Sequence, residues 1–101
     1  MITKEFLEDI CFISQHDHAR ASLDLFLMLN EDVTQGLENS EELKYAIRNH
    51  DSGWIEYDKI PKTNKDGQVY TFQNMKTSLQ EELWIKSISN SMFPYSSLLI
   101  S

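Results

Sequence analysis

Three residues in this chain have types and spacing that could do chemistry: His18 in Q-H-D-H-A (residues 15–19), and His50 with Asp51 at the head of H-D-S-G-W (residues 50–54). Imidazole and carboxylate without thiolate form a donor set suited to a divalent transition metal: iron, manganese, cobalt or zinc. An ion held by so few side chains keeps positions open for water. It lowers that water's pKa toward ~7 and polarises a phosphoryl oxygen. Asp51 is therefore expected to be both ligand and catalytic residue. Asp17 and Gln15, within this first motif and just before His18, are placed to orient a ligand from behind. Trp54 would wall the substrate pocket. The same residues also suit a plainer role, in which His18 and His50 are hydrogen-bonded core histidines and Asp51 is a helix-end partner for the His50 ring.

The elements that must position them read as helices. Leu43, Ala46, Ile47 and His50 fall at i, i+3, i+4 and i+7, so a histidine completes an apolar stripe. Neighbouring helical side chains diverge by ~100°, so His50 and Asp51 can share an ion only at a helix end, where Ser52 and Gly53 let the chain turn. Asn39 or Ser40 caps this helix, with Glu42 in capping-box position. An earlier helix, from about 13 to 29, carries Cys11, Ser14, His18, Ala21, Ser22, Leu25 and Leu29 on one face, with His16 pointing the other way into solvent. Packing the two stripes together would bring His18 to His50.

The remainder frames this pair. Phe6, Leu7 and Ile10 suggest a short helical lead-in, and residues 33–39 with Gly36 a connecting loop. Residues 54–74 form a long loop in which Asp66 and Gly67 make a tight turn, with a short hairpin pairing the chain near Tyr57 and Tyr70. A third helix opens at Thr77 or Ser78 and should be buried on two sides. A fourth has Pro94 in its first turn and stops within an apolar run at Ser101. The expected fold is all-α with a long central loop.

At 101 residues there is room for a single domain. A formal net charge of -7 argues against nucleic-acid phosphate and against an anionic membrane surface. No apolar run approaches the ~20 residues of a spanning helix. The lone Cys11 excludes an internal disulfide, suits a reducing cytoplasm, and reads as a small core residue. A small molecule is the expected partner.

The order of these motifs resembles the HD-domain superfamily of metal-dependent phosphohydrolases. More closely, the chain is similar to an uncharacterised bacterial family that pairs Q-x-D-H-A with H-D-x-G-W. In that family an aromatic loop follows, then a P-Y-x-x-L-L-x-S helix, matched here by Pro94, Tyr95, Leu98, Leu99 and Ser101. The superfamily resemblance implies an HD-domain-like helical bundle, with His18 as first ligand and His50 with Asp51 as the pair. It also implies hydrolysis of a phosphorylated small molecule. The superfamily's later Asp has no counterpart before Ser101. The chain is thus expected to be the N-terminal part of a larger domain, leaving an apolar patch at Leu98, Leu99 and Ile100 that would support a homodimer. The alternative is a non-catalytic helical binding module that retains a vestigial His/Asp site.

Overall fold

The computed structural model describes residues 1–29 and 40–101 of the chain. Among the described residues, two antiparallel strands, β1 (Ile2–Phe6) and β2 (Asp9–Ile13), precede four helices: α1 (Gln15–Leu27), α2 (Ser40–Asn49), α3 (Thr77–Ser89) and α4 (Pro94–Ile100). Short 3-10 turns at Ser52–Trp54 and Tyr57–Lys59 lie between α2 and α3. The loop expected at residues 33–39 and the Asn39 cap lie outside the described residues.

The sheet overturns the all-α expectation. Residues 1–12 do not form a helical lead-in but a hairpin in register Ile2 to Ile13 through Phe6 to Asp9. Its two-residue turn holds Leu7 at φ 55°, a position where Asn or Gly is usual. No Asn-Gly or Asp-Gly marks the turn, and both faces of the hairpin are largely exposed, so neither turn chemistry nor alternation announced it. What remained was the β-propensity of Ile2, Thr3, Phe6, Ile10, Phe12 and Ile13. Cys11 lies on this exposed ribbon rather than in the core.

Helix α1 starts where Ser14 closes a reciprocal cap. Its hydroxyl accepts the Asp17 N–H at 3.0 Å and donates to Asp17 Oδ2 at 2.9 Å. Helices α1 and α2 pack together, and each buries an alanine, Ala19 and Ala46. Helix α2 also packs on α4, where the fully buried Ser96 donates to the Glu42 carbonyl at 2.6 Å. The central apolar cluster is Trp54, Met75 and Leu83, with Tyr57, Tyr70 and Leu79 against it.

Gly53 explains how the first 3-10 turn meets α3. A Cβ there would fall 2.8 Å from Ser87 N, 2.9 Å from Ser87 Oγ, and closer still to the Leu83 carbonyl oxygen. The glycine is required for close approach rather than for turning, and its N–H donates to Ser87 Oγ at 2.8 Å. Farther along, the turn at Gly67 (φ 78°) does form. It pairs Thr63 with Val69, and Tyr70 N–H donates to the Lys62 carbonyl. Tyr57 instead lies under the Lys62 ammonium, 3.9 Å from the ring centre.

Helix α3 is buried on one side only. Trp84 is 50% and Ile85 63% exposed, although both sit in the run expected to face inward twice. No side chain caps its start, which follows Lys76. No helix among the described residues is long and apolar enough to cross a membrane.

Candidate functional site

Helix α2 ends at Asn49, and the chain folds at once into the 3-10 turn, so His50 and Asp51 sit on the bend between them. His50 Nδ1 lies 2.6 Å from the Ile47 carbonyl oxygen. A carbonyl only accepts, so Nδ1 carries the proton and the ring is locked with Nε2 facing outward. Nε2 is 3.3 Å from Asp51 Oδ2. Two lone pairs at that separation repel each other, and a proton or a cation between them relieves the repulsion. Asp51 is mostly buried, and burial pushes its carboxyl above the usual 3.8; His50, His18 and the Met1 amine pull it back.

His18 stands beside this pair. Its ring meets that of His50 edge-on, with centroids 6.3 Å apart. The two rings are thus neighbours, but the burial expected of the two α1 histidines, His16 and His18, is inverted. His18 is exposed, whereas His16, expected in solvent, is half-buried with its Nδ1 enclosed and without a protein partner among the described residues. The helical wheel assigned the faces of α1 by hydrophobicity, and here Gln15 and Ala19 are its buried residues. Asp17 is bonded to Ser14 and faces Arg20 at 3.7 Å, so its contacts serve the helix start.

The pair opens onto a cleft of about 610 Å³. Trp54, Phe72, Trp84 and Leu99 give it apolar and aromatic walls, and Gln15, Gln80, His50 and Asp51 supply its polar groups. Gln15 Oε1 is buried with no partner among the described residues, an acceptor left for a guest. Among the described residues, no lysine or arginine lines this cleft. Trp54 thus has both roles, core and wall.

Sequence reasoning missed Asp58. It is buried, and its carboxylate takes the Met1 amine at 2.8 Å on one oxygen and the Gln15 N–H at 2.8 Å on the other. Asp58 thereby ties the start of β1 and the start of α1 to the central loop. The only signal was a carboxylate in an aromatic-rich stretch (I-E-Y-D), too common to single out.

As a donor set, His50 and Asp51 fit a divalent ion. Ligand atoms around one ion with ~2.1 Å bonds lie about 3.0–3.4 Å apart, and a metal-bound imidazole ordinarily donates its other N–H to a carbonyl or carboxylate. Both conditions hold here. A third donor is not arranged with them: among the described residues, no group of three or more His, Cys, Asp or Glu side chains is placed to hold a metal.

The fold and cleft define a small mixed α and β domain with a His-Asp pair at the mouth of an apolar pocket. The chain belongs to the family described as "Protein of unknown function (DUF3891)", whose profile matches residues 1–101. No curated protein and no solved structure matches it.

Proposed function

We propose that this domain is a metal-dependent hydrolase of a phosphorylated small molecule. In this reading His50 and Asp51 would hold a divalent transition ion, with His18, whose ring lies beside that of His50, as a third ligand. The observation that carries the reading is the His50 ring, fixed through Nδ1 so that Nε2 and Asp51 Oδ2 converge at 3.3 Å. The order of the motifs, which resembles the HD-domain superfamily, supports the same reading. An ion there supplies Lewis-acid polarisation and a more acidic water. The chain's own residues do the rest. The aromatic walls seat the organic body of the substrate and exclude water, while Gln15 Oε1 accepts a hydrogen bond from it. Because no cationic side chain among the described residues lines the cleft, a phosphate entering it depends on the ion for its counter-charge.

A second reading, a non-catalytic binding module, is favoured by the lack of a closed three-donor set among the described residues. There the proton between His50 and Asp51 is a simple imidazolium–carboxylate contact, and the cleft only binds. Elemental analysis of protein purified without added metal, followed by titration with Mn²⁺ and Zn²⁺, separates the two. Under the first reading a stoichiometric ion is found. Metal-dependent hydrolysis of p-nitrophenyl phosphate disappears in His50→Ala and Asp51→Ala while helical content is kept. Absence of saturable metal binding in folded parent protein leaves only the binding module.

A further inference from the structure

Helix α2 has a second cavity on its other flank, about 550 Å³ and unrelated to the His50 cleft. Leu43, Ala46, Ile47 and His50 face the first cleft, whereas Lys44 and Arg48, one helical turn apart, face the second. His16 reaches the second cavity from α1, and Leu23, Leu27 and Phe93 furnish its apolar lining.

We propose that this cavity is a binding site for a small organic anion, a carboxylate or phosphate group carried on an apolar body. Three observations converge on it. Lys44 and Arg48 place two cationic heads on one wall of a chain whose net charge is -7, so positive charge is concentrated where the protein as a whole repels anions. The enclosed His16 Nδ1, without a partner among the described residues, can in its Nδ1–H tautomer donate to a bound head group. The Phe93 ring is held edge-on against Tyr45, centroids 5.1 Å apart, so the apolar floor is preorganised.

Glu41 also lines the cavity and lies 3.2 Å from Lys44 Nζ. Its side chain is 88% exposed, however, so this pair is screened and weak, and an anion held by several donors displaces it. Arg48 makes no ion pair among the described residues, and its planar fork suits two oxygens of one head group. The Asn49 amide is already engaged, donating to the Tyr45 carbonyl at 2.9 Å, and steadies the wall rather than the guest.

The test is a calorimetric and amide-NMR titration of the full chain, in chelator-treated buffer, with phenyl phosphate, benzoate and uncharged benzyl alcohol. One or both anions should bind saturably, benzyl alcohol at least tenfold more weakly, with shifts centred on residues 16, 23, 44 and 48. The stronger anion names the head group. Arg48→Gln should weaken binding about ten- to a hundredfold, the range of a lost charge-assisted bond. His16→Leu should weaken it several-fold, and His50→Ala should leave it unchanged. Arg48 is exposed, so its substitution leaves the fold intact, which circular dichroism checks. The proposal is overturned if neither anion saturates at millimolar concentration, or if benzyl alcohol binds equally well. It is also overturned if Arg48→Gln stays within twofold of parent, or if His50→Ala rather than Arg48→Gln removes binding.

Discussion

Gly53→Ala is the substitution that probes most directly how the His50 and Asp51 bend is held. A methyl at residue 53 would sit 2.8 Å from Ser87 N and 2.9 Å from Ser87 Oγ, and closer still to the Leu83 carbonyl, where ordinary contacts begin near 3.4 Å. Two of these three atoms are helix backbone and cannot swing aside, so the 3-10 turn must lift off α3. Overpacking of this kind costs about 1–3 kcal/mol. Lifting also breaks the bond from Gly53 N–H to Ser87 Oγ, and a buried donor left unpaired costs about 1–3 kcal/mol more. The combined loss, about 2–6 kcal/mol, lowers the melting temperature by roughly 8 °C or more at ~4 °C or more per kcal/mol for a domain of this size. Thermal unfolding followed by far-ultraviolet circular dichroism measures it. Gly67→Ala is the comparator, because a Cβ there meets open space and the cost is limited to the φ of 78°, about 1–2 kcal/mol. If Gly53→Ala melts no lower than Gly67→Ala, the close approach of the turn to α3 is wrong.

Asp58→Ala removes the shared acceptor of the Met1 amine and the Gln15 N–H and should cost about 3–5 kcal/mol, as breaking a buried ion pair does; a urea midpoint equal to the parent's would refute this. Asp51 has its folded pKa raised by burial, so the fold keeps a proton that the unfolded chain gives up, and stability declines as pH climbs through and above 3.8. In metal-free buffer Asp51→Asn abolishes that decline, and its stability advantage over the parent should grow from about pH 3 to pH 6 in denaturant titrations; a difference flat with pH would show that burial does not disfavour the carboxylate. Ile85 and Leu98 are 63% and 69% exposed on α3 and α4, so we expect concentration-dependent self-association by sedimentation velocity, weakened in Ile85→Glu with Leu98→Glu. Identical profiles for parent and double variant would remove those faces from the contact.

Helices α2, α3 and α4 were legible because each has a strong local signal: an apolar stripe ending in Ser-Gly, a start near Thr77, and a proline in the first turn. The hairpin was not, because its stabilisation is not local. Met1, buried at its base, reaches Asp58 across 57 residues, and the Met1 carbonyl accepts from Phe72 N–H. A pattern read along the strands alone finds exposed residues on both faces and a turn without glycine. The faces of α1 failed for a related reason. Ala19 and Gln15 are buried because α2 and the central loop come close there, and small or bonded residues permit that approach where larger apolar ones such as Leu25 do not.

The H-D-S-G-W run was legible as a unit, yet it holds two interleaved messages. Gly53 and Trp54 serve the fold: one admits α3 to contact distance, the other fills the cluster with Met75 and Leu83. His50 and Asp51 contribute little to that packing and carry a cost instead, since a half-buried imidazole and a largely buried carboxylate face each other where apolar side chains would sit more comfortably. The single bond that orients them, from His50 Nδ1 to the Ile47 carbonyl, aims the second ring nitrogen at Asp51 rather than into a closed core. A purely structural histidine would gain more by burying Nε2 against a donor. Keeping the two acceptors convergent and open to the cleft makes sense if something positively charged, a proton or a metal ion, is meant to lie between them. The rigid contact at Gly53 then holds the bend on which both groups depend.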